Sequence, residues 1–430
     1  MFRVEKILNT LHEKYRYMEK QSILYSYSFD KETKTSKHNI FKNYLSRKSI
    51  FKNKEFLLSS FIPDEILHRD KEIMEISSII APSLRGYKPN NIFIYGGVGT
   101  GKTICIKKVL EQLNEISLQN KSNIKTIYIN CKMKRVADTE YRLLAQLLNE
   151  VGVLVPDTGL PTDVLYKKFF NEIDKKKQII LIVLDEIDAL IRKVGDEFLY
   201  NLIRINSELN NTKISIIGIT NDLTFTNYLD ARIKSSLGEE EIIFHPYNAT
   251  QLRDILKQRA KEAFNKNTIK INIINKCAAI AAQEHGDARR ALDLLRVAGE
   301  IAERENSSEI LEKHVNIAEE KIELDTIIET IRSLPKQSQA ILYAIINNKS
   351  ENKISTKEVF AEYKKICLKN NLRVLTQRRV SDLINELDIL GIIDTKVISK
   401  GRYGRTREIS LLITNDILDN AKKILIPIFE

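Results

Sequence analysis

The sequence predicts an α/β region built on a parallel sheet, then a small helical bundle, then a winged helix-turn-helix. Three observations carry this. Strand-length apolar runs alternate with helical periodicity between about 61 and 243. From about 250 the strands stop and Ala-rich helical periodicity replaces them. From 325 onward several helical stretches lead into a basic hairpin. A chain of 430 residues suits two to four domains, and 43% apolar with 29% charged residues is the balance of a globular protein.

Residues 1–58 read as a basic N-terminal extension. Val4, Ile7, Leu8, Leu11, Tyr15 and Met18 keep helical spacing, so 2–20 can form one amphipathic helix. The stretch 26–54 is rich in Lys, Ser and Asn, which suits a mobile leader as well as a DNA-binding arm. Within 59–246, NIFIY (91–95), TIYINC (126–131), IILIVL (179–184) and ISIIGIT (214–220) are β-rich, and EEIIFH (240–245) makes a fifth strand. Helical patterns at 104–118 and 140–151 separate them, implying a parallel sheet covered on both faces. Residues 247–324 carry LRDILKQRAKEAF, NKCAAIAAQEHG and ARRALDLLRVAGEIAERE, the periodicity of a helical bundle. In 325–430, helical stretches fall at 325–333, 336–347, 356–370 and 376–390. The last stops at Gly391, where glycine suits the position after a helix end. IIDTKVIS and REISLLI follow as strands joined by KGRYGRT.

Several classes are excluded. The longest apolar runs are strand length, so no membrane partner is expected. Charges run through MFRVEKILNTLHEKYRY, so no secretory signal is expected. Cys105, Cys131, Cys277 and Cys367 are far apart and form no C-x-x-C, which fits a reducing cytoplasm. The six histidines form no H-E-x-x-H, and no Cys/His cluster points to zinc. The formal net charge is +11, and its distribution is uneven: +7 in 1–58, −1 in 59–324 and +5 in 325–430. A neutral centre with basic ends points to an anionic partner held by the ends.

The sharpest motif is GGVGTGKT at 96–103, which satisfies G-x-x-x-x-G-K-[ST] after a strand and before a helix. Gly96, Gly97, Val98, Gly99, Thr100, Gly101, Lys102, Thr103 and Ile104 are therefore the candidate ATP/ADP loop. Glycines let backbone N–H groups wrap a polyphosphate, and the helix N-terminus adds partial positive charge. Lys102 would reach the β- and γ-phosphates, and the Thr103 hydroxyl would ligate Mg2+. Asp185 and Glu186 follow the run IILIVL, at the carboxyl edge of a strand, where α/β sheets bind ligands. Asp185 is the second expected Mg2+ ligand, and Glu186 the general base for the attacking water. Asp188 reads as a solvated turn. Asn221 ends the next strand, ISIIGIT, where a neutral amide can orient water or contact the γ-phosphate; asparagine is also a common turn former there.

At the C-terminal end, Val380, Leu383, Ile384, Leu387 and Leu390 share one face of the helix 376–390 and are expected in the core. Gln377, Arg378, Ser381, Asp382 and Asn385 then lie outward. That arrangement fits an ordinary surface helix as well as one entering a major groove. The hairpin favours the groove: Lys400, Arg402, Arg405 and Arg407 surround two glycines and Tyr403, a slim cationic tip for phosphates or a minor groove.

The set GGVGTGKT, LDEID, GIT-Asn221, LDARIKSSLG (229–238) and GDARRALD (286–293) resembles an AAA+ ATPase. More narrowly, it resembles the archaeal replication initiators related to the origin recognition complex and the cell-division-cycle helicase loader. The segment at 50–73 also resembles the family's approach to its ATPase core. The likeness runs from about 49 to the end; residues 1–48 have no counterpart. It implies an AAA+ core at 59–246, a helical lid at 247–324 and a winged-helix DNA-binding domain at 325–430. Arg289 is implied to reach the γ-phosphate from the lid, with Arg290 solvated beside it. Arg232 is implied to act on a neighbouring subunit's nucleotide, although Ala231 stands where the family has proline. Ile66, His68 and Arg69 resemble the strip lining the adenine pocket, and 155–169 matches best a helical insertion that touches DNA. The resemblance implies a cytoplasmic, nucleoid-associated initiator that binds double-stranded origin DNA, other initiator subunits (paralogues or copies of itself) and the replicative helicase. ATP binding and slow hydrolysis would act as its switch. The rival readings are another AAA+ machine, a clamp loader or motor, and a transcription regulator that uses ATP as a ligand.

Overall fold

The computed structural model describes residues 49–132, 138–156, 158–225, 229–233, 239–348, 354–399, 405–412 and 415–430. The expected leader up to 48, Lys400, Arg402, Tyr403 and residues 234–238 of LDARIKSSLG lie outside them. Five strands, β1 (Asn91–Gly96), β2 (Ile124–Asn130), β3 (Gln178–Asp185), β4 (Thr212–Thr220) and β5 (Glu239–Phe244), form one sheet in the order β2-β3-β4-β1-β5. Every pairing is parallel. Alternate side chains feed two separate cores, as the period of a strand dictates. Phe93, Ile127, Ile129, Ile180, Ile182 and Ile216 pack under helices α3 (Glu140–Glu150), α4 (Thr162–Ile173), α5 (Ile187–Val194) and α6 (Glu197–Arg204). Ile92, Ile94, Leu181, Val183, Ile217 and Ile219 face α1 (Asp70–Ile80) and α2 (Lys102–Gln119). The strands are near-continuous apolar runs because both faces are covered.

Of the expected insertion at 155–169, residues 162–169 open α4, whose Leu165 and Phe169 are buried in the first of these cores, while Lys167 and Lys168 are exposed. After β5 come α7 (Ala249–Ala263), α8 (Ile271–Glu284) and α9 (Ala288–Arg304), closing a third core around Leu252, Leu256, Cys277, Leu294 and Leu295. Ile50, Phe51 and Leu57 are also buried there. Phe51 stacks on Phe264 with ring centroids 4.9 Å apart, and Lys52 N donates to Ala263 O at 2.8 Å. Residues 50–57 thus belong with the bundle, not with the leader that the reading of 1–58 drew.

The expected helix at 325–333 is the second half of α10 (Glu312–Ser333). No glycine or proline interrupts those residues, so the 324/325 boundary falls inside one helix. Val315 and Ala318 sit in the bundle core, while Ile331 sits in the next. That last core joins α11 (Lys336–Asn347), α12 (Thr356–Lys369), α13 (Gln377–Ile389) and a three-stranded antiparallel sheet in the order β6 (Ile354–Ser355), β8 (Arg405–Leu411), β7 (Ile393–Ser399). A helix not foreseen, α14 (Asn415–Phe429), completes it through Ala421, Leu425 and Phe429. Among the described residues, no helix is long and apolar enough to cross a membrane.

Candidate nucleotide and DNA sites

Strand β1 ends at Gly96 and α2 begins at Lys102, so residues 97–101 turn the chain through a loop at the start of an 18-residue helix. Gly101 caps that helix at φ 93°, and Gly99 stands at φ 69°, a conformation that favours glycine. A Cβ on Gly99 would lie 1.6 Å from Asp287 Oδ1, so the loop passes directly under the bundle. Ala288 N donates to Gly99 O at 3.2 Å across the same contact.

Lys102 is 6% exposed, and its ammonium donates to Gly96 O at 2.7 Å, Gly97 O at 2.7 Å and Asn221 Oδ1 at 2.9 Å. Burial pulls its pKa down to about 8; the Asp185 carboxylate resists that pull and Arg289 adds to it. Thr103 Oγ1 donates to Asp185 Oδ2 at 2.8 Å. Tyr128, from the neighbouring strand, donates to the same oxygen at 2.5 Å. Burial, then that hydrogen bond, pushes the Tyr128 phenol well above its ordinary pKa. Glu186 sits at φ 56°, ψ 47° as the first residue before α5, and pairs with Lys132 Nζ at 3.2 Å.

The structure therefore brings Lys102, Thr103, Asp185, Glu186 and Asn221 to one edge of the sheet. They line a single cleft together with Gly99, Thr100, Gly101, Ile104, Ile66 and, from α9, Arg289. This set fits a nucleotide polyphosphate: a loop whose Gly99 and Gly101 take the left-handed backbone, a buried lysine and a helix N-terminus. The Thr103 hydroxyl and the Asp185 carboxylate are hard oxygen donors, the chemistry Mg2+ selects. Gly96, Gly97 and Val98, also expected in the nucleotide loop, are not among the residues lining the cleft; the first two hold Lys102 through their carbonyls.

Other expected residues lie elsewhere. His68 turns away from the cleft to Asp254, 3.2 Å off. Arg69 is buried beneath the loop, where it donates to Glu72 Oε1 and His245 O, both at 2.6 Å, and lies 4.1 Å from the Tyr247 ring centroid. Of the three expected residues Ile66 lines the cleft, beside its neighbour Leu67, and His68 and Arg69 do not. Arg290, read as solvated, forks onto Glu284 at 2.8 and 3.1 Å. Asp188 is likewise no free turn residue, because it accepts from Thr220 Oγ1 at 3.1 Å. Arg232 lies outside the cleft, exposed and forked onto Asp230 at 3.1 and 3.2 Å. Ser59, Ser60, Ile62, Pro63, Tyr247 and Arg259 line the cleft without having been singled out by the sequence. The signal for the first four was the segment at 50–73, which contains them; nothing local marked Arg259.

In the last domain α13 is capped by Thr376, which accepts from Arg379 N at 3.4 Å. Val380, Leu383, Ile384 and Leu387 are buried as expected, but Leu390 is 47% exposed, because the helix ends before it can turn inward. Gln377, Arg378 and Asp382 are exposed, and Ser381 and Asn385 half-buried. Arg407 on β8 donates to Asn385 Oδ1, tying the hairpin to α13. Arg405 begins β8; its side chain lies outside the described set.

Family models match each part of the chain: an AAA domain over 85–224, a Cdc6 AAA+ ATPase-type lid domain over 253–320, and a CDC6 C-terminal winged helix domain over 329–421. An ORC1-type DNA replication protein of Thermococcus kodakarensis is 54% identical over 388 residues, covering 89% of this chain and 93% of its own. ORC1-type DNA replication protein 1 of Methanosarcina mazei is 52% identical over 391 residues, covering 90% and 93%. The solved structure of the Aeropyrum pernix ORC1 protein in complex with DNA superposes with a TM-score of 0.76 at 42% identity, covering 87% and 97%. With an AAA+ core, a Cdc6-type lid and a winged helix in one chain, and with identity above one half across nearly all of it, this protein belongs to the family of ORC1-type DNA replication proteins.

Proposed function

We propose that the chain is an ATP-switched replication initiator that grips double-stranded origin DNA. The observation that carries this is the convergence of Lys102, Thr103, Asp185, Glu186 and Asn221 on one cleft roofed by Arg289, in a chain that ends in a winged helix. Residues 96–104 would hold ATP or ADP, and Thr103 and Asp185 would hold Mg2+. When bound, the metal neutralises phosphate charge. Glu186 would take a proton from the attacking water once released from Lys132, and Asn221 would orient that water. Arg289 would sense the γ-phosphate from the lid, and Arg232, released from Asp230, would serve a neighbouring subunit, a second copy or a paralogue.

Gln377, Arg378, Ser381 and Arg407, with Lys400, Arg402, Tyr403 and Arg405 of the hairpin, would contact the duplex. The working division is a core over 59–246, a lid over 247–324 and a winged-helix domain over 325–430, with residues 50–57 packed on the lid. ATP and ADP forms that differ in lid contact would control recruitment of the replicative helicase at the nucleoid. Lys102→Ala is expected to abolish retention of radiolabelled ATP, whereas Glu186→Ala retains ATP and stops phosphate release. Normal turnover by the Glu186 variant refutes the base assignment. Footprinting with and without ATP tests the origin reading: protection confined to promoters favours a transcription regulator.

A further inference from the structure

A nucleotide presents an anionic chain and a flat ring, and the lining of the cleft divides in the same way. The loop, the sheet edge and α9 supply Lys102, Thr103, Asp185, Asn221 and Arg289. The segment 59–67 and α7 supply Ile62, Pro63, Ile66, Leu67 and Ile255, aliphatic surface that suits a ring and offers a phosphate nothing. This wall is laced together. Arg259 Nη2 donates to Phe61 O at 3.1 Å, Gln258 Nε2 donates to Glu65 O at 3.1 Å, and His68 Nε2 lies 3.2 Å from Asp254 Oδ2. The partners run in opposite order along the chain, so the segment lies antiparallel to α7.

Gln258 is the tie that bears on the ring. It is half-buried and lines the cleft, one turn from Ile255 on the same helix. Its bond to Glu65 O engages the donor end of the carboxamide and fixes the plane of the group. Among the described residues no donor reaches its Oε1. An amide held by its nitrogen offers its surroundings an acceptor. Adenine carries an amino group at C6, whereas guanine carries a carbonyl there. Between aliphatic walls, Oε1 facing the amino group makes a hydrogen bond; Oε1 facing the carbonyl leaves two oxygens without a donor.

We propose that Gln258 is a specificity-determining residue that selects adenine over guanine, its Oε1 accepting from the exocyclic amino group of the base. This rests on the nucleotide reading above and adds to it a choice of base. The phosphate groups do not report that choice, because they are held by the loop. Selection therefore depends on a side chain of α7 and on the segment that orients it.

The test is calorimetric titration of ATP, GTP, purine riboside triphosphate (which lacks the amino group) and inorganic tripolyphosphate into the full chain and its Gln258→Leu variant. The parent is expected to bind ATP about tenfold or more tightly than either GTP or purine riboside triphosphate. In the variant, ATP should weaken to the affinity of purine riboside triphosphate, which itself stays unchanged, and the preference over GTP should fall to about twofold or less. Tripolyphosphate should bind both proteins equally. A parent that binds ATP and purine riboside triphosphate alike overturns the proposal, and this arm needs no variant. A preference for ATP that survives in Gln258→Leu also overturns it, placing selection on the backbone of the segment. So does a loss shared equally by all four ligands, which makes Gln258 a strut between α7 and Glu65. If Lys102→Ala still binds ATP, the nucleotide reading itself has failed, an outcome separable from any of these.

Discussion

The contact between Gly99 and Asp287 allows a quantitative prediction. Asp287 caps α9, accepting from Arg289 N at 2.7 Å and Arg290 N at 3.4 Å, and its Oδ1 occupies the space a Cβ on Gly99 would take. In Gly99→Ala the new methyl must expel that carboxylate. The cost is the cap, about 1 kcal/mol, plus about 1 kcal/mol for alanine in a left-handed conformation. Asp287→Ala loses the cap alone. In the double variant no carboxylate remains to expel, so only the backbone strain is added, and the two single costs overcount by about 1 kcal/mol. Hydrogen exchange over the first turn of α9 reads this locally, without requiring the whole chain to unfold in one step. Each single variant should speed exchange there about fivefold, and the double variant no more than Asp287→Ala alone. Exchange rates that multiply in the double variant would refute the idea that the loop and the lid share one carboxylate.

Three further outcomes follow from the geometry. Tyr128→Phe leaves Thr103 as the donor to Asp185 Oδ2, and should raise the Mg2+ concentration needed for half-maximal ATP binding several-fold while leaving metal-free binding unchanged. His314 is fully buried, accepts from Leu311 N at Nδ1 and faces Glu305 at Nε2; burial lowers its pKa, with Glu305 opposing. The unfolded chain then binds the extra proton, so its contribution is intact above pH 6.5 and is lost as pH falls below that value. Melting at pH 7.5 and 5.5 should show a larger drop in the parent than in His314→Gln. If about six basic groups of the hairpin and α13 touch phosphates, log affinity for duplex DNA should fall against log salt with slope about −5, and Arg407→Ala should flatten it by about one. A slope near zero in the parent contradicts the DNA assignment.

Which residues meet in the cleft was legible wherever the pattern is local. GGVGTGKT, the carboxylates after IILIVL and Asn221 are each written in a few consecutive residues, and parallel pairing carries them to one sheet edge. What escaped depends on distant partners. Arg290 reads as a surface charge until Glu284, on the preceding helix, is brought beside it. Arg259 reads as one more cation on an exposed helix until the segment 59–63 covers it. Phe51 looks like part of a polar leader until Phe264 supplies its stacking partner. Helix α14 was missed for a local reason: Pro427 lies in its last turn and masks the four-residue spacing of Ile417, Ala421, Leu425 and Phe429.

The unbroken course of α10 has a mechanical meaning. A helix of 22 residues is about 33 Å long. Its first turns are gripped by the core that α9 shares, and its last by the core that holds α13. Such a rod transmits angles instead of absorbing them: a tilt of about 10° at one end moves the other by roughly 6 Å, more than the rise of one helical turn. A change in how Arg289 and its helix sit over the loop would therefore arrive at the winged-helix end amplified, with the helix as pointer and the cleft as its pivot.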